Sequence, residues 1–220
     1  MSRMAWRAEL PLADPTGMKT PILEIGVRDR RANMEVEIKV CLEESEVALV
    51  EGFAEQEGVV FGQSAHQADV YFKEQGFRTK VQGAGSYLIR VRYSEGGSTL
   101  NMKRLTARDG VWEEIESSVA DGTVAERILE TVGLERAVQI EKERRFAQLG
   151  DVELILDHVS GLGVFLELAT ECSSAAVEVE AAQAKLRGLL VRIGIDERRI
   201  ELRGYPTIEL EKQGVIFTAK

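Results

Sequence analysis

Between residues 34 and 170 one pattern recurs: short segments in which alternate residues are apolar and the residues between them are charged. In MEVEIKVCL (34–42), Val36, Ile38 and Val40 alternate with Glu35, Glu37 and Lys39. A period of two is that of a β-strand with one face on a core. Arg90 and Arg92 alternate with Ile89 and Val91 in LIRVR. Lys103 lies in TLNMKR, Glu114 and Glu116 in EEIE, and Lys142 and Arg144 in QIEKERRF. Asp157 closes ELILD, and Glu167 lies in FLEL. On a single strand such a face reads as solvated surface. Across so many strands, positions that are nearly all Glu, Asp, Arg or Lys call for another account.

The pattern predicts strands near 34–42, 58–62, 66–73, 86–94, 98–105, 111–118, 135–147, 150–158 and 163–170, with Gly-rich turns at 82–86 and 95–97. A helix capped by Ser45 carries Val47, Val50 and Ala54 as its apolar stripe. A second is expected over 121–132, on Val124, Ile128, Leu129 and Val132. A third, from Ser173 to Arg192, buries Val179, Ala182, Leu186, Leu190 and Ile193 and leaves Glu178, Lys185 and Arg192 in water. Antiparallel strands with interspersed helices make an α+β domain over residues 34–220. Residues 1–33 hold three of the chain's four prolines and no sustained periodicity, and read as an N-terminal tail.

If the sheet closes on itself, the charged faces can line a single tunnel. Charges in an enclosed space must be paired or hold ligands. Rows of Arg and Lys suit phosphate oxygens, and carboxylates at alternate positions suit the hard cations Mg²⁺ or Mn²⁺. A polyanion with a divalent cation would neutralise such a lumen. The net charge of −9 argues against a nucleic-acid-gripping protein. No apolar run is long enough to span a membrane, and the N-terminal stretch lacks the apolar core of a signal peptide, so a cytoplasmic setting is expected.

The ordered set resembles a known family. Glu35-Val-Glu37-Ile-Lys39 matches the ExExK signature of the CYTH superfamily, the triphosphate tunnel metalloenzymes. The match continues through Arg90-Val-Arg92, Lys103, Glu114-Ile-Glu116, Lys142-Glu-Arg144, Asp157 with GLGVFLEL, and a terminal RGYPTIEL. DVYF at 69–72 and the overall spacing are most similar to the class IV adenylyl cyclase branch. The resemblance implies a closed eight-stranded antiparallel β-barrel with flanking helices, acting on the triphosphate of a nucleotide with Mg²⁺ or Mn²⁺. ATP going to cyclic AMP and pyrophosphate is the first expectation. Hydrolysis of inorganic triphosphate, thiamine triphosphate or a nucleotide is the alternative, and non-catalytic polyphosphate binding the second. Carried over, Lys39, Arg90, Arg92, Lys103, Lys142 and Arg144 match triphosphate contacts. Glu35, Glu37, Glu114, Glu116, Asp157 and Glu167 match metal-side carboxylates, with Glu35, Glu37 and Lys39 as the catalytic signature. The implied partner is a triphosphate, with no nucleic acid or membrane; a homodimer is compatible but forced by no residue. Two positions depart. The family's late EIE appears as Glu167-Leu-Ala169, one carboxylate fewer, and Trp112 stands two before Glu114, where Arg is usual; an inward Trp112 exchanges a phosphate ligand for an aromatic surface.

Other residues read as structural. Cys41 and Cys172 fit no disulfide framework or zinc spacing and are expected to be buried, inert thiols. His66 and His158 are far apart in sequence, and His158 falls on the apolar side of its strand as a structural histidine. Arg78 and Lys80 are expected in a solvated loop, and Gly161-Leu-Gly163 in a tight turn.

Overall fold

The computed structural model describes residues 33–107, 111–173 and 175–216; most of the expected tail lies outside them. The chain runs β1 (Asn33–Leu42), α1 (Glu44–Gln56), β2 (Ala65–Glu74), β3 (Tyr87–Ser94), β4 (Gly97–Leu105), β5 (Val111–Val119), α2 (Gly122–Thr131), β6 (Leu134–Leu149), β7 (Val152–Val159), β8 (Gly163–Ser173), α3 (Ala176–Ile193), the two-residue β9 (Ile200–Glu201) and α4 (Tyr205–Lys212). The strands order as β5-β4-β3-β2-β6-β7-β8-β1 and close through β1 on β5, giving the eight-stranded antiparallel barrel. Two elements share the free edge of β1. Glu35 and Val36 pair with Trp112 and Val111 of β5, while Lys39 and Val40 pair with Glu201 and Ile200 of β9.

The apolar alternates of the strands face outward, so helices must cover them. Val36, Val40, Leu154 and Leu168 pack with Val50 of α1 and with Val179, Leu186 and Leu190 of α3. Complete burial of side chains of this size is the main favourable term, about 1.5–3 kcal/mol each. The third helix ends at Gly194, whose φ of +94° lies in the left-handed region that glycine adopts without a Cβ clash. On another side, α2 lays Ala125 and Leu129 over Val70, Phe72 and Val91.

Several expectations require correction. Residues 58–62 form no strand: Phe61 is buried in the core, but Gly62 donates to the Phe146 carbonyl outside any ladder. The first helix is capped by Glu43, which forms a capping box with Glu46, and not by Ser45. The third begins at Ala176. In α2, Leu129 is buried but Val124, Ile128 and Val132 are exposed, because the helix turns Ala125, Glu126 and Leu129 toward the sheet. Cys41 is exposed and Cys172 only half-buried: Cys41 continues the charged, odd-numbered face of β1 and not its apolar one. His158 keeps the outward register of Leu154 and Leu156 but lies exposed beyond the helical cover. It forms one outer row with Glu143 and His66 across β7, β6 and β2. Arg78 and Lys80 are exposed, as expected, and Arg78 also donates to the Ala137 carbonyl at 2.8 Å. Among the described residues, no helix is long and apolar enough to cross a membrane.

Candidate active site

The charged alternates converge on one cavity of about 120 Å³ that opens to solvent. Glu35, Glu37, Lys39, Arg90, Arg92, Lys103, Lys142, Arg144 and Glu167 line it. The register explains the convergence. Arg92 is directly opposite Asp69, Lys103 opposite Glu114, Arg144 opposite Asp157, and Lys39 opposite Glu167. In antiparallel pairing directly opposed residues share a face, so each neighbouring strand brings one charge to its partner of opposite sign.

Lys103 reaches three carboxylates: its Nζ lies 2.6 Å from Glu35, 3.4 Å from Glu37 and 3.6 Å from Glu114. Glu37 also accepts from Lys39 at 2.9 Å, and Lys39 lies 3.6 Å from Glu167. The two signature glutamates therefore differ. Burial pushes the Glu35 carboxyl up to about 8; Lys103 opposes the rise, and Glu114 and Glu37 add to it. Glu37 goes the other way: Lys103 and Lys39 outweigh burial and hold it well below the usual carboxylate range.

On the opposite wall two buried aspartates hold the arginines. Asp157 accepts from Arg144 Nε and Nη2 at 2.7 and 2.5 Å, and from the Tyr205 hydroxyl at 3.0 Å. Asp69 accepts from Arg92 Nε and Nη2 at 2.7 and 2.8 Å. Lys142 Nζ lies between them, 3.5 Å from Asp69 and 3.8 Å from Asp157. Burial, reinforced by Arg144, pushes Lys142 down to about 7 despite both aspartates. Arg90 Nη2 donates to Glu116 at 3.2 Å, toward the less buried end of β5.

All twelve residues expected from the sequence thus fall on one connected network, but Asp157 has both oxygens engaged by Arg144 and Tyr205. Sequence reasoning missed Asp69, Glu153, Asn101 and Tyr205. Glu153 lines the cavity and stands opposite Ala169, itself opposite Glu37. Asn101 Nδ2 donates to Glu114. Asp69 was detectable, since Gln67, Asp69 and Tyr71 continue the polar alternation of their strand. Tyr205 lies in the terminal RGYPTIEL match but was given no role; α4 carries it over the cavity, edge-on to Phe165 with ring centroids 5.1 Å apart. The Lys39 and Lys142 ammoniums sit 5.6 and 5.4 Å from its ring centroid. Trp112 is inward: it is buried, lines the cavity and stands opposite Glu35.

The donor chemistry fits a hard divalent cation, because the Lys103 ammonium already stands in as the cation shared by three carboxylates. Among the described residues, no three acidic, histidine or cysteine side chains are spaced as metal ligands without movement. Glu35, Glu37 and Glu114 would hold the ion in exchange for their lysine contacts.

A family model for the CYTH domain matches residues 33–205. The chain belongs to the CYTH family. A Methanocaldococcus jannaschii protein provisionally named an adenylate cyclase is 26% identical over 176 residues, 78% of this chain and 96% of the relative. The structure of the PH1012 protein from Pyrococcus horikoshii superposes with a TM-score of 0.66 at 23% identity, covering 79% of this chain and 98% of that one. HpAC1 from Hippeastrum superposes at 0.57 and 16% identity, covering 84% and 97%; it is described as an adenylyl cyclase candidate with a dominant triphosphatase activity. CYTH proteins act on triphosphates and generally depend on a divalent metal.

Proposed function

We propose that this protein is a divalent-metal-dependent enzyme that holds a nucleoside triphosphate inside the barrel. The first reading is class IV adenylyl cyclase chemistry, in which the ribose 3′-hydroxyl of ATP attacks the α-phosphorus and pyrophosphate leaves. The observation that carries the reading is the convergence of Lys39, Arg90, Arg92, Lys103, Lys142 and Arg144 on one cavity beside Glu35 and Glu37. A divalent metal held by these carboxylates would supply charge neutralisation to the triphosphate.

The protein's own residues supply position. Arg92 and Arg144, each held along one edge by an aspartate, offer their remaining N–H donors as planar forks to phosphate oxygens. Lys39 and Lys142, almost fully buried, contribute point charges in a medium where they are weakly screened. Trp112 and Tyr71 add aromatic faces to the same cavity, the surface a base needs and an inorganic triphosphate does not.

Triphosphate hydrolysis is the second reading, favoured by the activity described for the Hippeastrum relative. Incubating the protein with ATP and Mg²⁺ or Mn²⁺ and separating the products decides between them. Cyclic AMP and pyrophosphate, lost in a Glu35→Ala, Glu37→Ala variant, support the cyclase. ADP and orthophosphate support the triphosphatase. Neither product, with ATP bound, refutes both and leaves a binding barrel.

A further inference from the structure

Asp69 is fully buried, and its carboxylate contacts Tyr71, Arg90, Arg92 and Lys142, all side chains of the cavity. Arg92 donates Nε to Oδ1 and Nη2 to Oδ2; Lys142 Nζ lies 3.5 Å, Arg90 Nη1 3.9 Å and the Tyr71 hydroxyl 3.4 Å from Oδ2. These partners come from β2, β3 and β6. Stability alone gives no reason for a carboxylate here. A buried ion pair is often no more stable than well-packed apolar residues of similar volume, and the neighbours on the opposite face, Val70 and Phe72, show that β2 accommodates apolar side chains.

The same device occurs twice in the barrel. Asp157 engages Arg144 through the same Nε and Nη2 edge, also from the directly opposite position on the neighbouring strand. In both pairs the aspartate takes one edge of the guanidinium and leaves the Nη1 donors outside the pair, on residues that line the cavity. Without such an anion Arg90, Arg92 and Lys142, all cationic and crowded into one wall, would repel one another and adopt alternative rotamers. Ordering them would then cost binding energy when the ligand arrived.

We propose that Asp69 is a positioning residue of the triphosphate site: from one buried point it aims the Arg92 fork and fixes the spacing of Arg90 and Lys142. The proposal rests on the reading of the tunnel as a triphosphate site and adds to it a residue that acts through the cations. Asp69 need not touch the ligand.

The test is calorimetric titration of the full chain with inorganic tripolyphosphate in Mg²⁺, for wild type, Asp69→Asn, Arg92→Gln, the double variant and Asp69→Glu, with a melting curve for each. Asp69→Asn should weaken binding by about tenfold or more, whereas the same change in the Arg92→Gln background should cost about threefold or less. Equal losses in both backgrounds, or none, would overturn the proposal, because a merely structural role does not depend on the fork. Should Asp69→Asn fail to fold, Asp69→Glu keeps the charge but moves it by one methylene: weaker binding of a folded protein supports positioning, and wild-type affinity overturns it. Absence of tripolyphosphate binding by the wild type would instead refute the triphosphate reading, and the proposal with it.

Discussion

Trp112 stands directly opposite Glu35 where β5 meets β1, so an indole shares the seam of the barrel with a signature carboxylate. If that indole receives the base of a nucleotide, Trp112→Ala should weaken ATP binding by about tenfold and leave tripolyphosphate affinity within twofold, since base–aromatic stacking is worth about 1–3 kcal/mol. Calorimetry with the two ligands checks this. Equal losses would mean that the ring supports Glu35 and not a base.

Glu35 should make stability depend on pH. Its folded pKa of about 8 lies above its value in an unfolded chain, so the folded state holds the proton more tightly. That contribution is fully present below the unfolded pKa of about 4.5 and is lost as pH rises through about 8. In chelator, the melting temperature of the wild type should therefore fall between pH 5 and 9, and Glu35→Gln should flatten the fall. A wild-type profile no steeper than the variant's would contradict the assignment.

Lys142 should give triphosphate binding its own pH dependence. Its ammonium attracts the anion, and with a pKa near 7 it loses that charge as pH rises through neutrality. Tripolyphosphate affinity should decline from pH 6 to 8.5. In Lys142→Arg, whose charge does not titrate in this range, the decline should be smaller. Titrations at fixed ionic strength test it, and parallel declines in both proteins would place the titrating group elsewhere.

The core should be separable from the site. Leu186 is fully buried where α3 packs on β1 and β8. Leu186→Ala should cost about 2–5 kcal/mol of unfolding free energy in urea denaturation. Tripolyphosphate affinity at 15 °C should stay within twofold of wild type. A large loss of affinity in a folded variant would show that helix packing sets the geometry of the tunnel.

Eight of the nine expected strands, their two faces and nearly every charge in the tunnel were legible in the sequence. Alternation at period two is a local property, so Glu35, Glu37 and Lys39 could be assigned to one face before any partner strand was known. So was α3, whose buried positions recur at helical spacing. Which charge meets which was not legible there, because that depends on closure and register between strands distant in the chain. Asp69 and Arg92 are 23 residues apart, and Glu35 and Lys103 are 68 apart. Closure also made Trp112 an inward neighbour of Glu35. Burial followed the same rule. The apolar residues of α2 were legible, but which of them would be covered depended on how the helix lay on β3 and β6, and Val124, Ile128 and Val132 were left in solvent. The role of Tyr205 came from the tertiary structure: the RGYPTIEL match contained it, but only packing against Phe165 and Asp157 fixes its position over the cavity.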